Sequence, residues 1–195
     1  AMNSGNIGSC TFRNCTFGLI TNATEGSINN CIFRDCMVGS FFSNMSDFSI
    51  IGNYYSNGTR GIILNISNGR IESNFFISLD VGIDIFKASN SPIFGNVFLE
   101  NGVGISIGNQ YQNTRFHLND FVDNEIHLKD HGPGFYFHGL KGNFWSGMSN
   151  YTDSNGDGIV DHPYVIDEDS MDRYPLTAKN SRFFNRPVRI QLPEE

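Results

Sequence analysis

One short pattern recurs along this chain at a nearly constant step, and this repeat restricts the possible fold more than any other feature. The pattern is a large apolar residue, then Asn or Cys three positions later, then an aromatic residue two positions further on. Successive copies are 21 to 24 residues apart, and they begin at Ile7, Ile28, Ile50, Ile71, Ile93, Phe116 and Leu140. Seven copies at this spacing indicate a solenoid, in which each repeat is one unit stacked on the next.

A second pattern inside the repeat shows that each unit consists of short strands. Segments 60–64, 81–85, 103–107 and 124–128 align with one another and alternate apolar and polar residues, which is the period of a strand with one buried face. Leucine-rich repeats need more Leu than these units contain, and a β-sandwich would not keep a fixed step. The sequence therefore predicts an all-β fold, a right-handed parallel β-helix of about seven coils over residues 1–145.

Equivalent residues of successive coils should lie above one another, about 4.8 Å apart. One predicted column is an inward ladder, in which each Asn bonds both the bend and the next coil. Its members are Cys10, Cys31, Asn53, Asn74, Asn96, Asn119 and Asn143. A second predicted column is an aromatic stack in the core, formed by Phe12, Phe33, Tyr55, Phe76, Phe98, Phe121 and Trp145.

The four cysteines follow the same register. Cys10 and Cys31 are 21 residues apart, as are Cys15 and Cys36, so each pair should stack on adjacent coils. Cβ atoms of in-register neighbours lie about 4.8 Å apart, slightly beyond the usual disulfide range of about 3.5–4.5 Å. This geometry favours free, buried thiols, whereas four cysteines in an extracellular chain would also be compatible with two disulfides.

Residues 146–195 follow the last repeat and are predicted to form an irregular cap. The final coil of a solenoid would otherwise expose unpaired backbone and apolar core. A self-contained cap is not expected before Ile7, so we expect a further domain or more coils to precede residue 1 in the native protein.

An acidic loop within the predicted cap has the spacing of a calcium loop. Oxygen-bearing side chains alternate around Gly158, and Ile159 can offer its main-chain carbonyl. The candidate ligands are Asp153, Asn155, Asp157, Ile159 and Asp161. Tyr164 stands where an EF-hand loop has a bidentate Glu, so Asp167, Glu168 or Asp169 would have to complete the shell. We predict structural Ca²⁺ here, with an Asx-turn held by its own backbone as the alternative.

The C-terminal sequence resembles the terminal motif of NosD-like proteins. The matching residues are Gly-Asn-Phe-Trp at 142–145, the acidic loop at 153–161, Pro-Tyr at 163–164 and Tyr-Pro-Leu at 174–176. This group of right-handed β-helices includes archaeal cell-surface proteins with carbohydrate-binding and sugar-hydrolase (CASH) repeats. The resemblance implies the fold and the cap, but it says little about activity because this fold hosts lyases, epimerases, binding modules and passive stalks.

Charge and composition restrict the partners. The net charge is −7 and the pI is about 5.1, which argues against nucleic acid, because phosphate binding requires clustered Lys and Arg. No apolar run approaches the 18 residues of a membrane span. Six Asn-x-Ser/Thr sequences, at Asn14, Asn22, Asn44, Asn57, Asn65 and Asn150, suggest an exported protein. We therefore expect an extracellular or cell-surface location and a polysaccharide or surface glycan as partner.

One mixed patch of acid, base and His is a candidate active site. Asp84, Ser106 and His127 are expected to stack on three consecutive coils, and Lys87, Asn109 and Asp130 follow three residues later in each. A polysaccharide lyase, C5-epimerase or hydrolase would need such groups, but an ordinary solvated surface explains them equally well.

Histidines raise a second alternative, because the NosD name is associated with copper and His clusters bind copper. His117, His127, His131 and His138 lie on different strands and turns, however, without a short ligand motif. The interpretation that best fits the sequence is a structural or carbohydrate-binding β-helix domain without catalysis. The polysaccharide-active enzyme and the copper-related periplasmic protein are the alternatives.

Overall fold

A computed structural model describes residues 4–132 and 141–180, and within these residues the chain forms nineteen strands and no helix. In chain order the strands are β1 Ser4–Gly8, β2 Thr11–Arg13, β3 Phe17–Thr21, β4 Glu25–Asn29, β5 Ile32–Arg34, β6 Val38–Ser46, β7 Phe48–Ile51, β8 Tyr54–Ser67, β9 Arg70–Glu72, β10 Phe75–Ser89, β11 Ile93–Phe94, β12 Val97–Leu99, β13 Val103–Gln112, β14 Phe116–His117, β15 Asp120–Val122, β16 Ile126–Asp130, β17 Phe144–Trp145, β18 Tyr164–Val165 and β19 Met171–Asp172. None of the described residues therefore belongs to a helix that is long and apolar enough to cross a membrane.

Two parallel sheets run along the molecule. One has six strands in the order β1-β4-β7-β9-β11-β14. The other follows β2-β5-β8-β10-β12-β15-β17, and β3, β6, β13 and β16 extend it laterally. Each strand of these two sheets pairs in parallel with strands of the neighbouring repeats, so the predicted all-β parallel β-helix is confirmed, whereas β18 and β19 of the cap form a separate antiparallel pair. The described strands make about six turns, and the seventh repeat adds only the short β17.

A column of glycines lets the strands of the larger sheet approach the core aromatics. A Cβ added at Gly61 would lie 2.5 Å from the carbonyl oxygen of Gly82, and one at Gly82 would lie 2.5 Å from that of Gly104. Real Cβ atoms do not approach this closely, so the recurrent Gly in each repeat is a steric requirement of the stacked coils.

The predicted inward ladder is present. The main-chain N and the Nδ2 of Asn74 both donate to Oδ1 of Asn96, each at 3.0 Å. The Nδ2 of Asn74 also bonds the carbonyl of Ile50 on the preceding coil at 2.9 Å. This arrangement links five fully buried amides, Asn53, Asn74, Asn96, Asn119 and Asn143. In each ladder residue the main-chain N–H and one Nδ2–H donate to the next coil toward the C-terminal end, so the last Asn needs an acceptor from outside the repeat.

The predicted aromatic stack is also present. From Phe12 to Trp145, neighbouring ring centroids along the column are 4.4–5.0 Å apart, and the ring planes are nearly parallel. Tyr55 introduces a hydroxyl into this stack, and Ser40 satisfies it at 3.1 Å. The rings contribute dispersion and apolar burial to one continuous core.

Candidate functional site

The predicted acid–His patch is not formed as expected, because the register differs from the prediction. Ser106 lies opposite Asp84 as expected, but its neighbour on the next coil is Lys129, not His127. A β-bulge between Ile85 and Lys87 places Lys87 opposite Gln110 instead of Asn109. The sequence pattern could not reveal this bulge, because an extra residue leaves the overall repeat length within its normal range.

Asp84 faces outward and is held by an arginine that the prediction did not include. The Nε of Arg60 is 2.9 Å from Oδ2 of Asp84, and the Asp84 side chain is only 17% exposed. Asp84 therefore forms an ion pair with Arg60 on the outer face.

His127 lies at the end of the solenoid, beneath the cap. Its Nδ1 accepts a hydrogen bond from Nδ2 of Asn124 at 3.2 Å, and its Nε2 donates to the carbonyl of Ser146 at 2.9 Å. These partners require the neutral ring with its proton on Nε2. Burial lowers the pKa of His127, although the Ser146 carbonyl and Asp123 act in the opposite direction.

Through this contact, His127 ends a second inner ladder. The Nδ2 of Asn101 donates to Oδ1 of Asn124 at 2.8 Å, and the Nδ2 of Asn124 then donates to the imidazole. The ring also lies 6.1–6.2 Å from the rings of Trp145 and Tyr164. His127 therefore connects the last coil to the cap.

Asp130 belongs to the same end of the molecule and does not extend the outer patch. Its Oδ2 accepts from the hydroxyl of Tyr111 at 3.2 Å and from that of Ser170 at 3.0 Å. Its Oδ1 accepts from the main-chain N of Gly132 at 2.8 Å. Asp84, Lys87, His127 and Asp130 are thus distributed over different environments, and a catalytic role for any of them stays a prediction.

The cap continues two of the inner columns, a feature that the sequence patterns did not reveal. Tyr164 stacks on Trp145 with ring centroids 4.3 Å apart, so it extends the aromatic column by one ring. Asp172, which is fully buried, receives the end of the main amide ladder. Its Oδ2 accepts from the main-chain N of Asn143 at 2.7 Å and from Nε1 of Trp145 at 2.9 Å. Burial raises the pKa of Asp172, and these hydrogen bonds partly offset that rise.

Asp120, on the outer side of β15, is a second buried carboxyl near the cap. Its Oδ1 accepts from the main-chain N of Asn180 at 2.7 Å, whereas its Oδ2 has no hydrogen-bond partner among residues 4–132 and 141–180. Burial raises the pKa of Asp120 to about 6.

The acidic loop is a network of local hydrogen bonds centred on Asp153. Both carboxylate oxygens of Asp153 accept from main-chain N atoms, including those of Gly156 at 2.7 Å and Gly158 at 2.8 Å. Asp161 accepts from the hydroxyl of Ser154 at 2.6 Å. Across the part of the chain that the structure describes, no three His, Cys, Asp or Glu side chains are grouped as a metal site. Calcium binding by Asp153, Asn155, Asp157, Ile159 and Asp161 stays a prediction.

The histidines considered for copper are separated. His117 stacks on Phe94 on the outer face of the six-stranded sheet, with centroids 5.2 Å apart, whereas His127 lies under the cap and His131 is exposed. His138 lies outside the described residues.

An exposed asparagine ladder runs along the outside of the coils. The Nδ2 of Asn90 donates to Oδ1 of Asn68, and the Nδ2 of Asn113 donates to Oδ1 of Asn90, each at 3.2 Å. All three residues sit at bends with φ of 49–54°, a left-handed conformation that Asn tolerates better than most residues. Their spacing of 22 and 23 residues repeats the main period, and this signal in the sequence was overlooked.

Two adjoining clefts of about 340 and 290 Å³ follow this ladder and share Asn90 and Pro92. We call them together the asparagine groove. It is lined by Asp47, Ser49, Asn68, Gly69, Arg70, Asn90, Pro92, Asn113, Arg115 and His117. Its cations differ in their surroundings, because Arg70 lies 3.6 Å from Glu72, whereas Arg115 makes no ion pair with the described residues.

His117 forms one end of the asparagine groove. Its Nδ1 is buried and has no hydrogen-bond partner within the described ranges. Burial, with a further contribution from Arg115, lowers the pKa of this imidazole. The groove thus offers a row of amides, the imidazole of His117 and the guanidinium of Arg115, which forms no ion pair within the described residues.

Comparison with known proteins places this architecture in a family. The profile of the family described as "Periplasmic copper-binding protein (NosD)" matches residues 1–164. No curated protein and no solved structure gives a significant match. The matched region spans both long parallel sheets and most of the acidic loop, and the chain therefore belongs to the NosD family.

Proposed function

We propose that this chain is an exported β-helix domain that binds an acidic polysaccharide along the asparagine groove, without cleaving it. The observation that carries the proposal is the row of exposed amides at Asn68, Asn90 and Asn113, repeated once per coil. The family is described as periplasmic, which supports export.

The spacing of these amides suits a polymer. Successive coils are separated by about 4.8 Å, which is close to the length of one pyranose residue in an extended glycan. An oligosaccharide lying parallel to the solenoid axis would therefore present equivalent hydroxyls to equivalent amides. Each amide has both donor and acceptor atoms, so it can bond hydroxyl groups in either sense.

Charge favours an acidic glycan over a neutral one. Arg115 is exposed and makes no ion pair with the described residues, so its guanidinium is available for a carboxylate or sulfate. The stacked rings of Phe94 and His117 lie beside it. The chain as a whole is acidic, with a net charge of −7. Arg115 would therefore determine where an anionic polymer can bind.

Titration calorimetry with acidic oligosaccharides, such as oligogalacturonate, and neutral cello-oligosaccharides would test this proposal. We expect the acidic series to bind, and Arg115→Ala to weaken binding about tenfold, equivalent to about 1.4 kcal/mol. Asn90→Ala should also weaken it. Arg13→Ala is the matched control, because Arg13 is exposed on β2, away from the groove. The proposal is wrong if neither series binds, or if Arg13→Ala and Arg115→Ala have equal effects.

Copper binding is a second candidate, because the family description names copper. One structural observation favours it, namely that Cys10, Cys15, Cys31 and Cys36 are all free thiols, and thiol sulfur is a preferred ligand of Cu(I). Equilibrium dialysis against Cu(I) under reducing conditions tests this candidate, and a protein that retains no copper would exclude it.

A further inference from the structure

The first two positions of the inner amide column carry thiols in place of amides. We propose that the sulfurs of Cys10 and Cys31 form a two-coordinate site for a soft monovalent cation, Cu(I) or Ag(I). This site lies on the inner amide column, whereas the asparagine groove lies on the outside of the coils, and it gives the second candidate function a location. Only the identification of the metal as copper rests on the second candidate function.

Both sulfurs occupy equivalent positions on adjacent coils. The Sγ of Cys10 is 3.4 Å from the carbonyl oxygen of Gly8, and the Sγ of Cys31 is 3.4 Å from that of Asn29. The coils are in register here, because Gly8 pairs with Asn29 and the main-chain N of Ile32 bonds the carbonyl of Cys10 at 2.8 Å. The two sulfurs are therefore separated by approximately one coil spacing.

That spacing is measured directly in the neighbouring aromatic column, where the ring centroids of Phe12 and Phe33 are 4.8 Å apart. A disulfide requires sulfurs about 2.05 Å apart, so these two thiols cannot bond to each other without moving the coils. Two metal–thiolate bonds of about 2.3 Å each would span about 4.6 Å along a line. The column therefore fits a linear sulfur–metal–sulfur unit better than a disulfide.

The surrounding contacts suit a thiolate ligand. The main-chain N of Cys10 points at the Sγ of Cys31 at 3.4 Å, and this donor would strengthen its bond to a negatively charged sulfur. Asn53 fixes the coil from the other side, because its Oδ1 accepts from the main-chain N of Cys31 at 2.9 Å. Cys31 is 1% exposed whereas Cys10 is half-buried, so the cation would enter past Cys10.

The binding step is a proton exchange without any change of oxidation state. The two S–H bonds break, two metal–sulfur bonds form, and two protons leave to solvent, which gives a complex with one net negative charge. The cation then offsets one of the two thiolate charges, and binding should weaken as the pH falls.

The second cysteine pair serves as a built-in control. Cys15 and Cys36 also occupy adjacent coils, and the Sγ of Cys36 is 3.5 Å from the carbonyl of Arg34. Gly58 stands at the equivalent position on the coil after Cys36, and it has no side chain that could hold the main-chain N of Cys36 as Asn53 holds that of Cys31. We therefore expect the better fixed Cys10–Cys31 pair to bind first.

Anaerobic titration of the reduced protein with Ag(I), and with Cu(I) in competition with bicinchoninate, tests the site. We expect tight binding of the first equivalent, with ultraviolet thiolate-to-metal charge transfer, and at least a hundredfold weaker binding in Cys10→Ser. The paired variant Cys15→Ser with Cys36→Ser should retain the wild-type affinity for that equivalent.

Circular dichroism on each variant separates lost binding from lost folding. Cys10→Ser alters a half-buried thiol, so it carries the test even where Cys31→Ser fails to fold. Wild-type affinity in Cys10→Ser would overturn the proposal, as would loss of the first equivalent in the Cys15/Cys36 variant. Failure of glycan binding would leave this result unaffected, because the groove experiment uses no metal. Binding of Ag(I) without Cu(I) would support the thiol site and remove its connection to copper.

Discussion

The two inner asparagine ladders end against different groups. The long ladder, which runs from Asn53 to Asn143, ends on the buried carboxyl of Asp172. The short ladder, from Asn101 to Asn124, ends on the neutral imidazole of His127. In both ladders one side-chain N–H of each Asn donates toward the cap, so the last Asn of each ladder has a donor that the repeat cannot satisfy.

The difference between these terminators follows from ladder length. Five aligned amides place a larger positive potential at their last N–H than two amides do, in the same way as aligned peptide dipoles in a helix. A carboxylate is the stronger acceptor, and at Asp172 one oxygen also receives the Nε1 of Trp145. A neutral ring nitrogen is sufficient for the shorter column. The cap is therefore an electrostatic terminator as well as a cover for the core.

The largest expected effect comes from replacing a hydrogen-bond donor inside the long ladder with an acceptor. In Asn96→Asp, the donor Nδ2 becomes an oxygen that faces the carbonyls of Ile71 and Phe94 and the Oδ1 of Asn119, all within 3.1 Å of the native nitrogen. A buried charge without a partner costs about 3–5 kcal/mol. Asn74→Asp should behave similarly.

Urea denaturation at pH 7 measures this loss, and Asn113→Asp on the exposed ladder is the control. The loss should shrink at pH 4, where the new carboxyl is protonated. Equal stability of Asn96→Asp and wild type at pH 7 would contradict the ladder itself.

A smaller loss is expected on removing the terminator of the long ladder. Asp172→Ala leaves the main-chain N of Asn143 and the Nε1 of Trp145 without their buried acceptor, which costs about 2–4 kcal/mol. Asp172→Asn keeps an oxygen acceptor and should lose less than Asp172→Ala. Chemical denaturation orders the variants, and an equal loss in both would mean that shape, rather than the acceptor, holds the cap.

The short ladder should give the solenoid a pH-dependent stability. Burial lowers the folded-state pKa of His127 below its ordinary value of 6.5, so the unfolded chain binds the proton more readily. Stability from this group is complete above pH 6.5 and falls as the pH drops from 6.5 to the lowered pKa, by at most about 1.4 kcal/mol per pH unit. Protonation of Nδ1 also removes the acceptor for Asn124.

Other buried groups overlap this pH window, so the measurement is a difference. The raised pKa values of Asp120 and Asp172 act in the opposite sense, because their folded forms bind protons more readily and stability decreases as pH rises above 3.8. His117 acts in the same sense as His127. The difference in unfolding free energy between wild type and His127→Gln, measured at pH 7.5 and at pH 5.5, isolates the contribution of His127. A gap that does not change with pH would show that the ring is not a neutral acceptor.

The coils were predictable because the repeat gives equivalent residues of successive coils equivalent neighbours. Asn74 and Phe76 have the same surroundings as Asn96 and Phe98, so reading one repeat correctly assigns the next. The outer face was less predictable, since the bulge after Ile85 shifts Lys87 relative to Asn109 without changing the repeat.

The cap is not repeated, so no pattern assigned its inner contacts. The sequence patterns gave Asp172 no role, and they placed Tyr164 only in the C-terminal motif and at the position of the bidentate Glu of an EF-hand loop. Their actual roles follow from the columns that they end. A donor-rich ladder and an aromatic stack both require a terminator, but several acids and rings follow β17, and the repeat does not single out one of each.

The smallest expected effect concerns calcium in the acidic loop. Hydrogen bonds to Asp153 from Gly156 and Gly158 already shape this loop, and it is largely exposed. Calcium would neutralise carboxylates that repel one another, but it would act on a segment that is already folded. With a dissociation constant of about 1 mM, as in extracellular calcium modules, 1 mM Ca²⁺ would add about 0.4 kcal/mol.

That increment corresponds to a rise in melting temperature of about 1–2 °C for a chain of this size. It should increase with calcium concentration, disappear in Asp157→Ala and be weaker with Mg²⁺, whose octahedral shell suits the loop less well. Asp80→Ala, at an exposed carboxylate on β10 and outside every predicted ligand set, is the matched control. Asp157 is exposed and bonds only within the loop, so its replacement should leave the ladders and their terminators intact. Identical melting curves with calcium and with chelator would leave the loop as a hydrogen-bonded turn, and the stability of the cap would then rest on the contacts of Asp172, Tyr164 and His127.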